Sequence, residues 1–269
     1  MGDIRPTSHF HAGNIDTAAV ARLVSALDAS DGVRRLRAWA HAAVAARPGE
    51  RALDVGCGTG PQTRALASAV TADGDALGIE PNPGLRTVAE QRAAAAGSTA
   101  RFTDGDASEL EAGDASVDVV WCERVLQHLS EPQRAVDEFA RVLRPGGRVV
   151  LLDTDWATTL LYPGDPDTVA ALTSGALAAA AAPYAGRRLL AWLSAAGLVI
   201  DDRGSQALLQ DHTTVAWPLI RMLAESAVRR ELITEVQRDR LYADLGEAAE
   251  RGALHMSVTM FAVAAHRPA

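Results

Sequence analysis

The stretch RALDVGCGTGPQTRALASAV, Arg51 to Val70, constrains this chain more than any other: an apolar run, glycine at every second position, then a helical sequence. A strand that ends in Asp54 and passes through Gly56, Gly58 and Gly60 into a helix puts bare backbone at the carboxyl edge of a parallel sheet. Open α/β sheets bind their ligands there. The following helix turns its amino end toward the same crevice. A side chain at Gly58 would fill the space that a nucleoside-bearing ligand needs. The competing reading is a turn whose glycines only let strand and helix pack closely.

The rest of the chain extends this pattern. Strand-like runs at 52–55, 76–80, 100–106, 117–121 and 148–153 alternate with helical stretches such as PGLRTVAEQRAAAAG and EPQRAVDEFARVLRPGG, the second closed by Pro-Gly-Gly. Such alternation predicts a mostly parallel sheet covered by helices, with right-handed crossovers. Two helices are expected before it, at 15–30 and 33–47, with Asn14 or Asp16 as N-cap. After Asp153 the pattern loosens. Residues 154–185 read as an insertion with helical pieces, 186–197 as an amphipathic helix, 198–210 as a strand, 212–254 as helices and MSVTMFAVAAH as a last strand. With 269 residues and no marked shift in composition, one domain is expected. Its core comprises 48–153, 186–211 and 255–268, and its lid 1–47, 154–185 and 212–254.

Composition removes several classes of chemistry. All 26 basic side chains are arginine. Without lysine there is no Walker A phosphate loop, no pyridoxal Schiff base and no lysine nucleophile. A formal net charge of −8 argues against a nucleic-acid groove, which needs clustered cations, and leaves a small acceptor as the expected partner. Cys57 and Cys122 have no cysteine neighbour at metal-ligand spacing, so neither a disulfide framework nor a zinc site is suggested. His9 and His11 are spaced to share a metal, yet no third ligand lies nearby, and no metal is expected. The opening MGDIRPTSHFHAGNID has no apolar signal-like segment, and no run of about 18 apolar residues follows. These features lead us to expect a cytoplasmic, membrane-free protein acting as a monomer or homodimer.

Two further segments narrow the ligand. In GIEPN, Glu80 ends the second strand twenty residues beyond Gly60, placed to accept both hydroxyls of a ribose. NAD and adenosyl ligands share that chemistry. In TDGDASEL, Asp106 lies just past the third strand, where its carboxylate can accept from an adenine amino group while the Ala107 N–H reaches a ring nitrogen. GCGTGPQ lacks the later Gly or Ala of the dinucleotide pattern, having Pro61 there, which weakens the NAD reading.

The series ALDVGCGTG, GIEPN, DGDASEL, VDVVWCERVLQHL and RVLRPGGRVVLLD resembles the successive motifs of class I S-adenosylmethionine-dependent methyltransferases, in the branch similar to ubiquinone/menaquinone C-methyltransferases. The likeness covers roughly residues 50–155. It implies a Rossmann-like, doubly wound, seven-stranded α/β sheet, mostly parallel with one antiparallel strand, plus helical lid insertions. It also implies S-adenosyl-L-methionine as cofactor. By the same resemblance Asp54, Gly56, Cys57, Gly58 and Gly60 form the turn around the methionine part and ribose, Glu80 and Pro81 hold the ribose, Asp106 and Ala107 bind adenine, and Cys122 and Glu123 line the methionine portion. The implied reaction is in-line methyl transfer to a small-molecule acceptor, such as a secondary metabolite or similar apolar compound. A protein that binds the cofactor without transferring methyl, in a cyclase-like or interaction role, is the alternative.

Much of such an enzyme's contribution is alignment, and a base is needed only if the nucleophile arrives protonated. His128, just after the fourth strand, is the side chain best tuned to take a proton near neutrality; packing is its competing role. Asp153 and Asp155 alternate at the end of the fifth strand, and Asp155 is expected in the acceptor pocket, with helix capping as the competing role. Trp156, Tyr162, Tyr184, Trp192 and Trp217 are expected to shape an apolar pocket or to pack helices. WCER stands where an Asn-Pro-Pro-Tyr type of motif would mark methylation of exocyclic amines in nucleic acids.

Overall fold

A computed structural model describes residues 17–209 and 217–269. The expectations for His9, His11, Asn14 and Asp16 lie outside the described residues, as does the side chain of Trp217.

The chain opens with α1 (Thr17–Asp28) and α2 (Asp31–Val44), the latter capped by Ser30, whose side chain accepts from the Val33 N–H. Alternation then follows as the sequence predicts: β1 (Arg51–Val55), α3 (Pro61–Val70), β2 (Asp75–Ile79), α4 (Pro83–Ala95), β3 (Arg101–Thr103), β4 (Val117–Glu123), α5 (Pro132–Val142) and β5 (Leu143–Tyr162). Next come α6 (Pro166–Ala179), α7 (Ala185–Ala195), β6 (Val199–Leu209), α8 (Trp217–Arg229), α9 (Glu235–Glu250) and β7 (His255–His266).

The seven strands form one sheet in the order β3-β2-β1-β4-β5-β7-β6. All neighbours are parallel except around β7, which runs antiparallel to both β5 and β6. This is the expected doubly wound sheet with one antiparallel strand. β1 and β4 lie side by side, with Asp54 opposite Trp121 and Val55 opposite Cys122. The order of strands reverses between them, and the connections diverge to leave a crevice at their carboxyl ends.

Every residue of β4 is buried, as a central parallel strand covered on both faces requires. One face packs Leu53, Val120 and Leu151 against Phe139 of α5 and Leu189 of α7. The other packs Ala52, Trp121 and Val150 against Leu36 of α2 and Leu66 of α3. A third cluster, with Leu172, Ile220, Leu241 and Leu245, gathers α6, α8 and α9 into a cap.

Two features depart from the sequence reading. β5 continues to Tyr162, pairing with β7 beyond an irregularity between Asp155 and Leu160, so residues 154–162 belong to the sheet rather than to an insertion. The run TDWATTLLY explains this, being rich in the Thr, Trp and Tyr side chains that suit a pleated surface. The passage from β3 to β4, residues 104–116, contains no helix, and a groove of about 790 Å³ runs along the face of β1 to β3 that such a helix would cover. Among the described residues, no helix is long and apolar enough to cross a membrane.

Candidate functional site

The glycine turn divides its labour. At Gly56 (φ +70°) a Cβ would lie 2.2 Å from Val125 Cγ2, and at Gly60 (φ +75°) one would lie 2.7 Å from the Phe102 ring. These two glycines are required by packing. At Gly58 (φ +57°) a Cβ would meet nothing within 4 Å, so this position alone of the three faces open space. The reading of all three as room for a ligand is therefore narrowed to Gly58. The turn is tied to β2 by the Gly56 and Cys57 N–H groups, which both donate to the Ile79 carbonyl.

Glu80, at the end of β2, is only 7% exposed, and backbone orients its carboxylate. Gly58 N–H donates to Oε2 at 2.9 Å and Asn82 N–H to Oε1 at 2.9 Å. These two backbone donors fix the direction in which the carboxylate faces. Pro81 is half-buried between Glu80 and Asn82, which caps α4. Asp106 is exposed and accepts the Ser108 N–H at 2.7 Å, while the neighbouring Ala107 is buried. The glycine turn, Glu80 and Asp106 thus follow the carboxyl edge from β1 through β2 to β3.

Asp54 lies behind this edge. It is buried, accepts from Thr63 Oγ1 at 2.6 Å, and burial pushes its carboxyl up to about 7. Its partner belongs to α3, so it braces the glycine turn against that helix. Burial also pushes both thiols well above their ordinary range, and Cys122 sits within the apolar cluster under α5 and α7. Neither is a nucleophile in this setting.

The β4 and β5 side is built differently. Glu123 is clasped by Arg37 of α2, whose Nε reaches Oε2 at 2.9 Å and whose Nη2 reaches Oε1 at 2.8 Å. Asp28 of α1 joins the same cluster, accepting from Arg37 and from Arg124, each at 2.6 Å. The N-terminal helices are thereby latched over the end of β4. Beside them His41 stacks on Trp121 with ring centroids 4.4 Å apart, and burial lowers its pKa.

After β4 the chain makes a 3₁₀ turn, Leu126–His128. Asp153, buried at the end of β5, accepts the Gln127 N–H at 3.2 Å and the Thr154 N–H at 2.8 Å. Burial, the leading influence, pushes its carboxyl up to about 7, against the opposing pull of these N–H donors. Gln127 accepts from Trp156 Nε1 at 2.6 Å, its carbonyl accepts from the Ala182 N–H, and Trp156 N–H donates to the Pro183 carbonyl. His128 is half-buried in the same turn.

Asp155 stands elsewhere than expected. It is fully buried, and Arg187 of α7 holds both its oxygens, so it has no open face toward an acceptor. The charge pair leaves it a positioning part rather than a proton-transfer part. Trp192 is likewise packed in the core, whereas Tyr162 and Tyr184 are exposed, 66% and 41%. Among the described residues, no cluster of three potential ligands could hold a metal ion. Sequence reasoning missed Asp28, Arg37 and Gln127. Their positions depend on how α1, α2 and the α6–α7 turn dock, and no local motif marks them.

A methyltransferase-domain family model matches residues 53–151. The chain is 38% identical over 156 residues to an uncharacterised 37.1 kDa protein of a Streptomyces fradiae transposon, covering 56% of this chain and 45% of that protein. It is 37% identical over 116 residues to demethylmenaquinone methyltransferase of Staphylococcus aureus, covering 43% of this chain and 48% of that one. The chain thus spans about half the length of these curated relatives. Among solved structures it is similar to the cyclase SpnF (TM-score 0.57, 21% identity, 93% of both chains). It is also similar to Haemonchus contortus phosphoethanolamine N-methyltransferase 2 in complex with S-adenosyl-L-methionine (TM-score 0.58, 18% identity, 95% of this chain and 58% of that one). At these identities the structural likeness shows the fold.

Proposed function

We propose that this chain, whose residues 53–151 form a methyltransferase domain of the class I S-adenosylmethionine-dependent type, transfers a methyl group to a small, largely apolar acceptor. The observation that carries the reading is the pairing of open space at Gly58 with a Glu80 carboxylate already aimed by the Gly58 and Asn82 N–H groups. An adenosyl ligand fits that edge: Glu80 accepts the ribose hydroxyls, Asp106 an adenine amino proton, and the Ala107 N–H donates to a ring nitrogen.

When bound, S-adenosylmethionine supplies a methyl group already activated by a positively charged sulfur. The chain's own contribution is placement. Glu80 and Asp106 fix the nucleoside, and Gly56 and Gly60 hold the turn that leaves Gly58 bare. Glu123 and Arg37 close the β4 end beneath α1 and α2, limiting the entry of water. Alignment of this kind is worth on the order of 7 to 11 kcal/mol in favourable cases. His128 takes the acceptor's proton where that acceptor arrives protonated. The cap, together with Trp156 and Tyr184, forms the acceptor's walls, and a secondary metabolite is the class such walls suit. The excess of acid side chains supports a neutral small molecule over a nucleic acid.

Calorimetry with S-adenosylhomocysteine and with NAD, together with S-adenosylhomocysteine release over an acceptor panel, tests the reading. Binding of the first alone and turnover with at least one acceptor are expected; NAD binding would refute it. His128→Gln should lower kcat and remove a pH dependence near neutrality when the acceptor must lose a proton. A second reading, cofactor binding without methyl transfer, draws support from the likeness to SpnF across 93% of both chains. In that case S-adenosylhomocysteine binds but no acceptor generates it.

A further inference from the structure

Gln127 has four polar groups, and three are already committed. Its N–H donates to Asp153 Oδ2 at 3.2 Å, its carbonyl accepts from the Ala182 N–H at 3.0 Å, and its side-chain Oε1 accepts from Trp156 Nε1 at 2.6 Å. An indole N–H only donates, so the amide oxygen must face Trp156. The amide nitrogen, with two N–H donors, is then turned away from Trp156. Among the described residues, the side-chain polar atoms buried without a hydrogen-bond partner are Asp118 Oδ1, which Arg144 pairs as an ion, and Trp121 Nε1. The Gln127 nitrogen is not one of them, and it donates to no described residue; the side chain keeps a residual 4% exposure. Its position is past the end of β4, beside Asp153 at the end of β5.

We infer that Gln127 is a specificity-determining residue whose amide nitrogen donates a hydrogen bond to an oxygen of the acceptor, which makes carbonyl-bearing apolar compounds the preferred class. The inference rests on the acceptor-binding reading given above. Asp153 and Trp156 hold the amide from two sides, so the donor is fixed before the acceptor arrives. The flanking residues Val125, Leu126 and Leu129 are apolar and pack against the core. A compound of the same shape without the oxygen would leave the donor stranded, and sites built to bond an oxygen reject such analogues strongly.

The test uses two probes of one skeleton, 1-tetralone and tetralin, titrated into protein saturated with S-adenosylhomocysteine and followed by calorimetry and tryptophan fluorescence. The ketone is expected to bind at least about tenfold more tightly than the hydrocarbon. Gln127→Met, matched in length but without a donor, should bring the ratio below about twofold by removing that bond. Gln127→Glu, measured near pH 8.5, well above a typical glutamate pKa, keeps an oxygen for Trp156 while replacing the donor with a negative oxygen, and should reverse the preference. It carries the test alone if the methionine variant fails to fold. An unchanged ratio in Gln127→Glu, or no ketone preference in the unsubstituted protein, overturns the inference. Loss of S-adenosylhomocysteine binding in the unsubstituted protein would instead refute the methyltransferase reading, so the two failures are told apart.

Discussion

The two halves of the crevice are built from different materials. Along β1 to β3 the groups that face it are backbone amides and the carboxylates they aim: Gly58 and Asn82 on Glu80, Ser108 on Asp106. Along β4 and β5 side chains hold one another across long stretches of sequence: Arg37 on Glu123, Trp156 on Gln127, Arg187 on Asp155. A backbone cradle needs particular φ values and short spacings, and changes little when neighbouring side chains change. A side-chain lattice is retuned by single substitutions. The first half is therefore suited to an invariant ligand and the second to one that differs between related proteins.

The sharpest way to break this contrast is inside the glycine turn. Gly56→Ala would place a Cβ 2.2 Å from Val125 Cγ2 at a positive φ, and should cost about 2 to 5 kcal/mol of folding stability in urea titration. Gly58→Ala has the same backbone strain but no clash, so its folding cost should stay near about 1 kcal/mol. Equal losses in the two variants would show that packing alone explains the turn. Glu80→Ala should weaken cofactor binding about ten- to a hundredfold, since bonds to a charged group contribute roughly 1.5 to 3 kcal/mol. A calorimetric change below about threefold would show that the carboxylate merely braces the backbone.

On the side-chain half, Arg187→Met strands the buried Asp155. We expect a measurable loss of stability in urea titration, tempered because Arg187 is itself half-exposed. Cofactor affinity should barely move while acceptor affinity falls; the opposite pattern would erase the division between the halves.

The smallest expected effect is in pH. Burial raises the folded-state pKa values of Asp54 and Asp153 to about 7 from an ordinary value of 3.8. Between those values the folded chain binds more protons than the unfolded one, so stability is greatest below the unfolded value and falls as pH rises through 7. His41, lowered from 6.5, opposes this trend only below that pH. The urea midpoint should accordingly drop from about pH 6.5 to 8, and Asp54→Asn or Asp153→Asn should flatten the drop.

The same contrast explains what could be read in the sequence. The alternation of strands and helices, the glycine turn and the positions of Glu80 and Asp106 after their strands are legible because each rests on a local pattern of apolar runs, glycines and strand-end acids. Asp155 was misleading because its spacing from Asp153 in the sequence carries no sign of the arginine 32 residues away that covers it. Arg37 and Glu123 are separated by 86 residues, and only the docking of α2 joins them. The glycines show a subtler limit. All three look alike in sequence, yet Val125 and Phe102, which make Gly56 and Gly60 obligatory, lie beyond any local window.

The continuation of β5 to Tyr162 has one more consequence, for how such proteins diversify. The chain leaves the sheet for the cap at Tyr162, which pairs with His255, and at Leu209, which pairs with Ser257. The segment that carries α8 and α9 thus leaves and returns within two residues along β7, beside the place where the segment that carries α6 departs, the latter returning at α7. A segment whose ends are stitched side by side on a rigid ladder can be lengthened, shortened or exchanged without reopening the fold beneath it. The α8–α9 part of the cap is in this sense a graft with a prepared seam, open to replacement by recombination or by design while the glycine turn and its carboxylates stay untouched.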